Sequence, residues 1–223
     1  MYIMNTIQKR FLLIAILLFV SVGVFAQKSE ATVTFEMTSQ DSTAQAMFEM
    51  MGGFKIIMMY KDNRVRLDMN MMGSTIKTVM DNKKEQGLML LDIMGAKKAY
   101  FLDKDYIEKE KAKEVPSNKV TLTKETKKIA GYKCKKALVS NENQKLVIYY
   151  TDKIQPLVTM GDYSYEGITG LILSVTTTVQ TDDAETVMTM TAIEVNTEKI
   201  DDSKFNMDVP EGYEIKPVEE LIK

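Results

Sequence analysis

The sequence predicts a mainly-β protein, a single antiparallel sheet with a few short helices, and three observations carry that reading. From Ala31 onward apolar and polar residues alternate with period two, which turns one face of each strand inward. The alternating segments are short and separated by turn residues such as Asp62-Asn63, Gly73 and Gly95-Ala96, so neighbours in sequence pair as neighbours in space. About ten or eleven such segments follow one another without a linker, repeat or low-complexity tract, so one sheet must curl, split or close to hide its apolar face.

The first strand is Ala31 to Thr38, with Val33, Phe35 and Met37 on one face and Thr32, Thr34 and Glu36 on the other. Ser42-Thr43-Ala44-Gln45 has capping-box spacing and Gly52-Gly53 supplies a stop, which predicts a short helix bringing Met47, Met50 and Met51 to one side. Strands follow at Phe54 to Tyr60, Arg64 to Met69, Ser74 to Met80, Leu88 to Met94 and Lys97 to Leu102. In Arg64 to Met69, Val65, Leu67 and Met69 point one way and Arg64, Arg66 and Asp68 the other. Acids at the N-cap and N3 positions of Asp105 to Glu108 open a charged helix running to Lys113, whose alternating Lys and Glu form a solvated face. Further strands are Lys119 to Glu125, Tyr132 to Val139, Lys145 to Thr151, Leu171 to Val179 and Thr186 to Asn196, the last two joined by the polar turn Thr181-Asp182-Asp183. Pro217 stands at the first position of a helical tail through Ile222.

Ahead of the sheet, Lys9-Arg10, the uncharged run Phe11 to Phe25 and the small residues before Gln27 describe a signal peptide cleaved after Ala26. No cysteine follows the cleavage point, so the expectation is an unlipidated single domain, residues 27–223, exported to the periplasm of a Gram-negative envelope. Cleavage removes two of 29 basic residues and no acid, leaving 27 against 31 and a net charge of −4. That balance argues against nucleic acid, which needs a concentrated basic face. The absence of His removes histidine triads, the usual zinc sites and most general-base schemes near neutral pH. The absence of Trp takes away the usual platform for stacking sugars. Cys134 is the single cysteine, so no disulfide forms within the chain. With no nucleophile–base pair in view, neither a cofactor nor an enzymatic activity is expected.

Two stretches resemble a known family. Thr126-Lys127-Lys128-Ile129-Ala130-Gly131-Tyr132-Lys133-Cys134-Lys135-Lys136-Ala137 resembles the K-x-I-A-G-Y-x-C hairpin of an exported bacterial domain-of-unknown-function family. Asp202-Ser203-Lys204-Phe205-Asn206-Met207-Asp208-Val209-Pro210-Glu211-Gly212-Tyr213 resembles its closing strand and turn, and Tyr149-Tyr150-Thr151-Asp152 the strand end between them. The order of these elements is similar to that of the LolA/LolB-like superfamily of periplasmic lipoprotein carriers. The resemblance implies a strongly curved half-open barrel, short helices plugging its mouth, and a cavity that holds acyl chains or lipoprotein lipids.

Twelve of the 16 methionines that follow the signal lie between Met37 and Met94. Methionine is flexible and polarizable, so such a cluster reads either as irregular core packing or as an adaptable apolar cavity. In the second reading Met47, Met50 and Met51 form a lid over a wall of Met58, Val65, Leu67, Met69, Met80 and Met89. Tyr163 and Tyr165, among Gly161, Gly167 and Gly170, then gate the mouth or cover a strand edge. A third reading makes Met69-Asn70-Met71-Met72 part of a thioether site for Cu(I), an ion that soft ligands select. Cys134 shares a face with Tyr132 opposite Lys133 and Lys135 and reads as a buried structural thiol, while Asp182-Asp183 and Asp201-Asp202 read as turn acids. The expected function is a monomeric, non-enzymatic binding protein for a hydrophobic small molecule or lipid, with envelope lipoproteins as a further partner class. The alternatives are a structural or interaction protein of the envelope with a self-filled core, and a methionine-based Cu(I)-handling protein.

Overall fold

The computed structural model describes residues 28–112, 119–141, 144–157, 165, 167–180 and 185–222. The first half of the chain forms β1 (Ala31–Ser39), helix α1 (Ser42–Met50), β2 (Phe54–Lys61), β3 (Arg64–Met71), β4 (Ser74–Asp81), β5 (Gln86–Ile93), β6 (Ala96–Leu102) and helix α2 (Lys104–Ala112). The second half forms β7 (Lys119–Ile129), β8 (Tyr132–Ser140), β9 (Gln144–Thr151), β10 (Leu171–Gln180), β11 (Glu185–Asn196) and β12 (Glu214–Lys216), with 3-10 turns at Asp202–Phe205 and Val218–Ile222. The signal segment and the Thr181-Asp182-Asp183 turn lie outside the described residues.

Among the described residues twelve strands make one sheet in the order β12-β6-β5-β4-β3-β2-β1-β11-β10-β9-β8-β7, so it curves without closing and ends on β12 and β7. Two meanders, β1 to β6 and β7 to β11, join where β11 pairs with β1. The expected count is short by one strand. β12 pairs in parallel with β6 over only three residues, too few to show an alternation.

Curvature is built from three register shifts, between Thr34 and Phe35, between Ile172 and Ser174, and between Leu122 and Thr126. A bulge adds twist and re-aims the side chains beside it. Accordingly Ile172 and Val175, three positions apart across the bulge, both pack in a second cluster, while Leu171 and Leu173 join the main core. The main core gathers Val33, Phe35, Phe54, Ile56 and Val65 of β1 to β3 with Ile129, Cys134 and Ile154 of the other meander. We refer to the face bearing Val33 and Phe35 as inner. The outer edge strand β7 exposes Lys119, Lys124, Lys127 and Lys128, which discourage a further strand from adding there.

Both helices are nine residues long, too short to hold without packing. The cap of α1 is Asp41, one residue before the expected Ser42, and its carboxylate accepts the Ala44 amide at 2.7 Å. Gln45 does not close a capping box; its side-chain oxygen accepts the Ser39 amide at 3.0 Å. Packing falls to Phe48, whose ring stacks on Phe54 at 5.6 Å and 17°. Helix α2 starts from Asp103 rather than Asp105, with the Tyr106 amide donating to the Asp103 carboxylate at 2.8 Å. Its Ile107 joins Leu102, Met80, Met89 and Val218 in a separate cluster that covers one flank of the inner face.

After β11 the chain straps the outer face of the first meander. Ile200 and Phe205 bury themselves on Val79 and Met59. Lys61, itself buried, donates to the Ile200 carbonyl at 2.6 Å and pairs with Asp202 at 3.0 Å. Arg64 pairs with Asp202 at 2.7 Å and lies over the Phe205 ring at 4.9 Å, and Arg66 donates to the Lys204 carbonyl at 2.7 Å. The strap then forms β12 beside β6 and rounds that edge, so that Val218 reaches the inner side.

Candidate functional site

Antiparallel connection puts successive turns at opposite ends of the sheet. One end carries the β2–β3 turn at Asp62-Asn63, the β4–β5 turn from Asn82 to Glu85 and the start of the strap. The other carries α1, the β3–β4 turn at Met72-Gly73, the β5–β6 turn at Met94-Gly95 and the β11 residue Met188, which pairs with Ser39. At this second end Met47, Met50, Met72 and Met94 are 58, 80, 69 and 87 % exposed, with Ile93 beside them at 54 %.

The two turns are fixed side by side, because the Met94 amide donates to the Gly73 carbonyl at 3.2 Å. Met94 has φ 52° and Gly95 φ 91°, the pairing of positive angles that a two-residue hairpin turn requires. Asn or Asp is the usual residue before the glycine, since an L side chain with a Cβ is strained there. The turn sits one residue earlier than Gly95-Ala96, which the alternation alone suggested.

Behind the exposed methionines the inner face continues with Met37, Met51, Met58, Met69 and Met71, half-buried against the main core. Met58 is further held by the Tyr60 hydroxyl, which donates to its sulfur at 3.0 Å, and burial pushes the Tyr60 phenol up. Under α1 lies a cleft of about 360 Å³ between Glu36, Gln45, Phe48, Glu49 and the Gly52-Gly53 backbone. Gln45 donates to the Glu49 carboxylate at 2.9 Å, and the lining mixes these polar groups with Met37 and Phe48.

The expected lining is thereby divided. Met51, Met58, Leu67 and Met69 pack against the main core, of which the fully buried Val65 is a member. Met80 and Met89 are instead covered by α2 and the C-terminal turn. Met47 and Met50 correct the lid expectation: α1 turns Phe48 inward and leaves these two facing solvent. Tyr165 is buried with Ala137, Val139, Leu146, Ile148 and Tyr150, a packing position and not an open gate; Tyr163 lies outside the described residues. Within Met69-Asn70-Met71-Met72 only Met72 is exposed among the methionines, with Met69 and Met71 against the core. Cys134 is fully buried and burial raises its thiol pKa. Asp201 caps the Ser203 amide and Asp202 binds Arg64 and Lys61, so this acid pair holds the strap; Asp182-Asp183 lies outside the described residues.

Met94 and the strap went unremarked as functional elements in the sequence. Met-Gly at two successive hairpin tips is a readable signal for the first; nothing local marks Asp202 as the partner of residues about 140 positions earlier.

Residues 92–209, more than half of the chain, match the model of the family described as N-glycanase peptide, N-terminal domain. A structure of PNGF-II in a C2 space group is similar at 18 % identity with a TM-score of 0.48, covering 86 % of this chain and 31 % of that one. A conserved protein from Thermus thermophilus is similar at 8 % identity with a TM-score of 0.48, covering 85 and 91 %. MucB is similar at 9 % identity with a TM-score of 0.38, covering 83 and 58 %. The chain thus spans about a third of the PNGF-II length. No curated protein matches the sequence.

Proposed function

The chain belongs to the family of N-glycanase peptide N-terminal domains, and from that premise we propose that it is a non-catalytic binding module. It takes an apolar ligand, an acyl chain or the lipid of an envelope component, at the methionine end of its curled sheet. One observation carries the reading: four strongly exposed methionines lie at the same end of the sheet, two of them on adjoining hairpin tips, and half-buried methionines continue along the inner face. Each methylene removed from water contributes about 0.8 kcal/mol, so a long chain binds without a specific polar anchor. Unbranched thioethers repack around chains of different length. Kinship with the LolA/LolB-like carriers, export to the periplasm and a monomeric state belong to the same proposal.

Native mass spectrometry of protein purified from cells separates this from its rivals, because a lipid, a copper ion and an empty chain differ in mass. In solution, N-phenyl-1-naphthylamine should brighten on binding. Met72→Asp with Met94→Asp should weaken it about tenfold, or about 1.4 kcal/mol, without loss of stability, since Asp tolerates the left-handed conformation at position 94 better than Met. A native protein that neither carries a lipid mass nor brightens the probe ends the reading. Family membership favours a second one, a module that recognises a glycan-bearing protein. Binding of a glycopeptide that the same aspartates leave intact would decide for it.

A further inference from the structure

We propose that Met47, Met50, Met72 and Met94 form a reversible oxidation site, at which a two-electron oxidant of the hypohalous acid class switches off the apolar binding end. The switching half of this inference rests on the binding function proposed above; the selectivity of oxidation does not.

Oxidation of sulfur follows exposure, and among the described residues Met47, Met50, Met72 and Met94 are the most exposed sulfurs, with Met188 next at 36 %. The four thioethers are 58 to 87 % exposed, whereas Cys134 is 0 % exposed and Met37, Met51, Met58, Met69 and Met71 pack against the core. Met58 additionally has its sulfur engaged by the Tyr60 hydroxyl. His and Trp, other side chains that such oxidants attack, are absent from the sequence. The site is also built in place. The backbone bond from Met94 to Gly73 sets two of the thioethers on adjoining hairpin tips, and Met94 holds a left-handed conformation that Asn would adopt with less strain. A thioether at that apex sacrifices local stability for reach into solvent.

The chemistry balances at each sulfur. The thioether gives two electrons to hypochlorous acid and takes its oxygen, forming the sulfoxide and releasing chloride and a proton. A methionine sulfoxide reductase returns the thioether by oxidising a dithiol to a disulfide, with the oxygen leaving as water. A sulfoxide is polar and accepts hydrogen bonds, so four of them convert the apolar end into a hydrated one, while the untouched core keeps the sheet folded.

The test treats the purified, full exported protein with a few equivalents of hypochlorous acid, then measures peptide masses, thermal unfolding and N-phenyl-1-naphthylamine binding. Sulfoxide should appear on the four methionines roughly tenfold ahead of Met58, Met69 and Cys134 oxidation. Unfolding should be unchanged, and probe affinity should fall several-fold and return with dithiothreitol and the two reductases, one for each sulfoxide epimer. The combined variant Met47→Leu, Met50→Leu, Met72→Leu and Met94→Leu cannot form sulfoxide at these positions, so whatever probe affinity it starts from should be the same before and after treatment. Uniform oxidation, early loss of Cys134, or equal probe loss in the leucine variant overturns the inference. Binding that survives full oxidation of the four also overturns it, and leaves the apolar-ligand reading standing. Absence of binding before any oxidant is added ends that reading instead, and the switch with it.

Discussion

The two ends of the sheet use the same backbone device and opposite side chains. At one end the Asn82 amide donates to the Asn63 carbonyl at 2.9 Å; at the other the Met94 amide donates to the Gly73 carbonyl at 3.2 Å. Around the first pair charged groups are engaged. Asp81 accepts the Lys83 and Lys84 amides, and Lys61 and Arg64 converge on Asp202. Around the second pair stand exposed thioethers. The strands between are shared, so sheet formation does not explain the difference. One end is fastened by long-range contacts, and the other is left apolar in water, which is the usual mark of a surface with something to bind.

If the polar end is the fastened one, it should be the easier to break. Gly170 enters β10 with φ 106°, and a Cβ there would stand 2.1 Å from the Thr151 carbonyl oxygen. Gly170→Ala should therefore lose about 4 kcal/mol or more in urea unfolding. Phe205→Ala removes the buried anchor of the strap and should cost about 3 kcal/mol. At the methionine end the sign should reverse: Met94→Asn relieves the left-handed strain and should add about 1 kcal/mol, while reducing apolar binding. A protein destabilised by that change would show that Met94 packs on something.

The ion pairs sharpen the contrast with pH. Hydrogen bonds from Arg64, then Lys61, hold the Asp202 carboxyl below its usual value of 3.8. A lowered folded-state pKa contributes stability that is present above the unfolded value and lost as pH falls through the folded one. Protection factors of the 200–207 amides, taken against the intrinsic exchange rate at each pH, should therefore hold down to about pH 4 and fall below it, with little change at Met94. Asp202→Asn should remove the step. A step that persists in that variant would move its origin elsewhere.

Much of this architecture was legible residue by residue. The alternation at Val33, Phe35 and Met37 placed β1 and its inner face, and Asp62-Asn63 placed the β2–β3 turn, because both signals are local. Cap positions slipped by one or two residues, Asp41 for Ser42 and Asp103 for Asp105, since several acids and hydroxyls near a helix start compete for the same amides. In α1 the choice between Phe48 and the methionines could not be read, as all lie on neighbouring helical positions and only the partner ring of Phe54 decides. Strand register puts Met58, Val65, Leu67, Met69, Met80 and Met89 on one face, yet α2 takes Met80 and Met89 away from the rest.

By itself the sequence determined the strand rhythm, the tips, the buried cysteine and the concentration of methionine in the first meander. Each follows from period, turn chemistry or composition within a few residues. Tertiary structure alone decided which end of the sheet is pinned, because Lys61 and Arg64 meet Asp202 only after the second meander has folded back. It also decided which methionines remain in water. Exposure is a property of what arrives to cover a side chain, and no local pattern encodes the arrival.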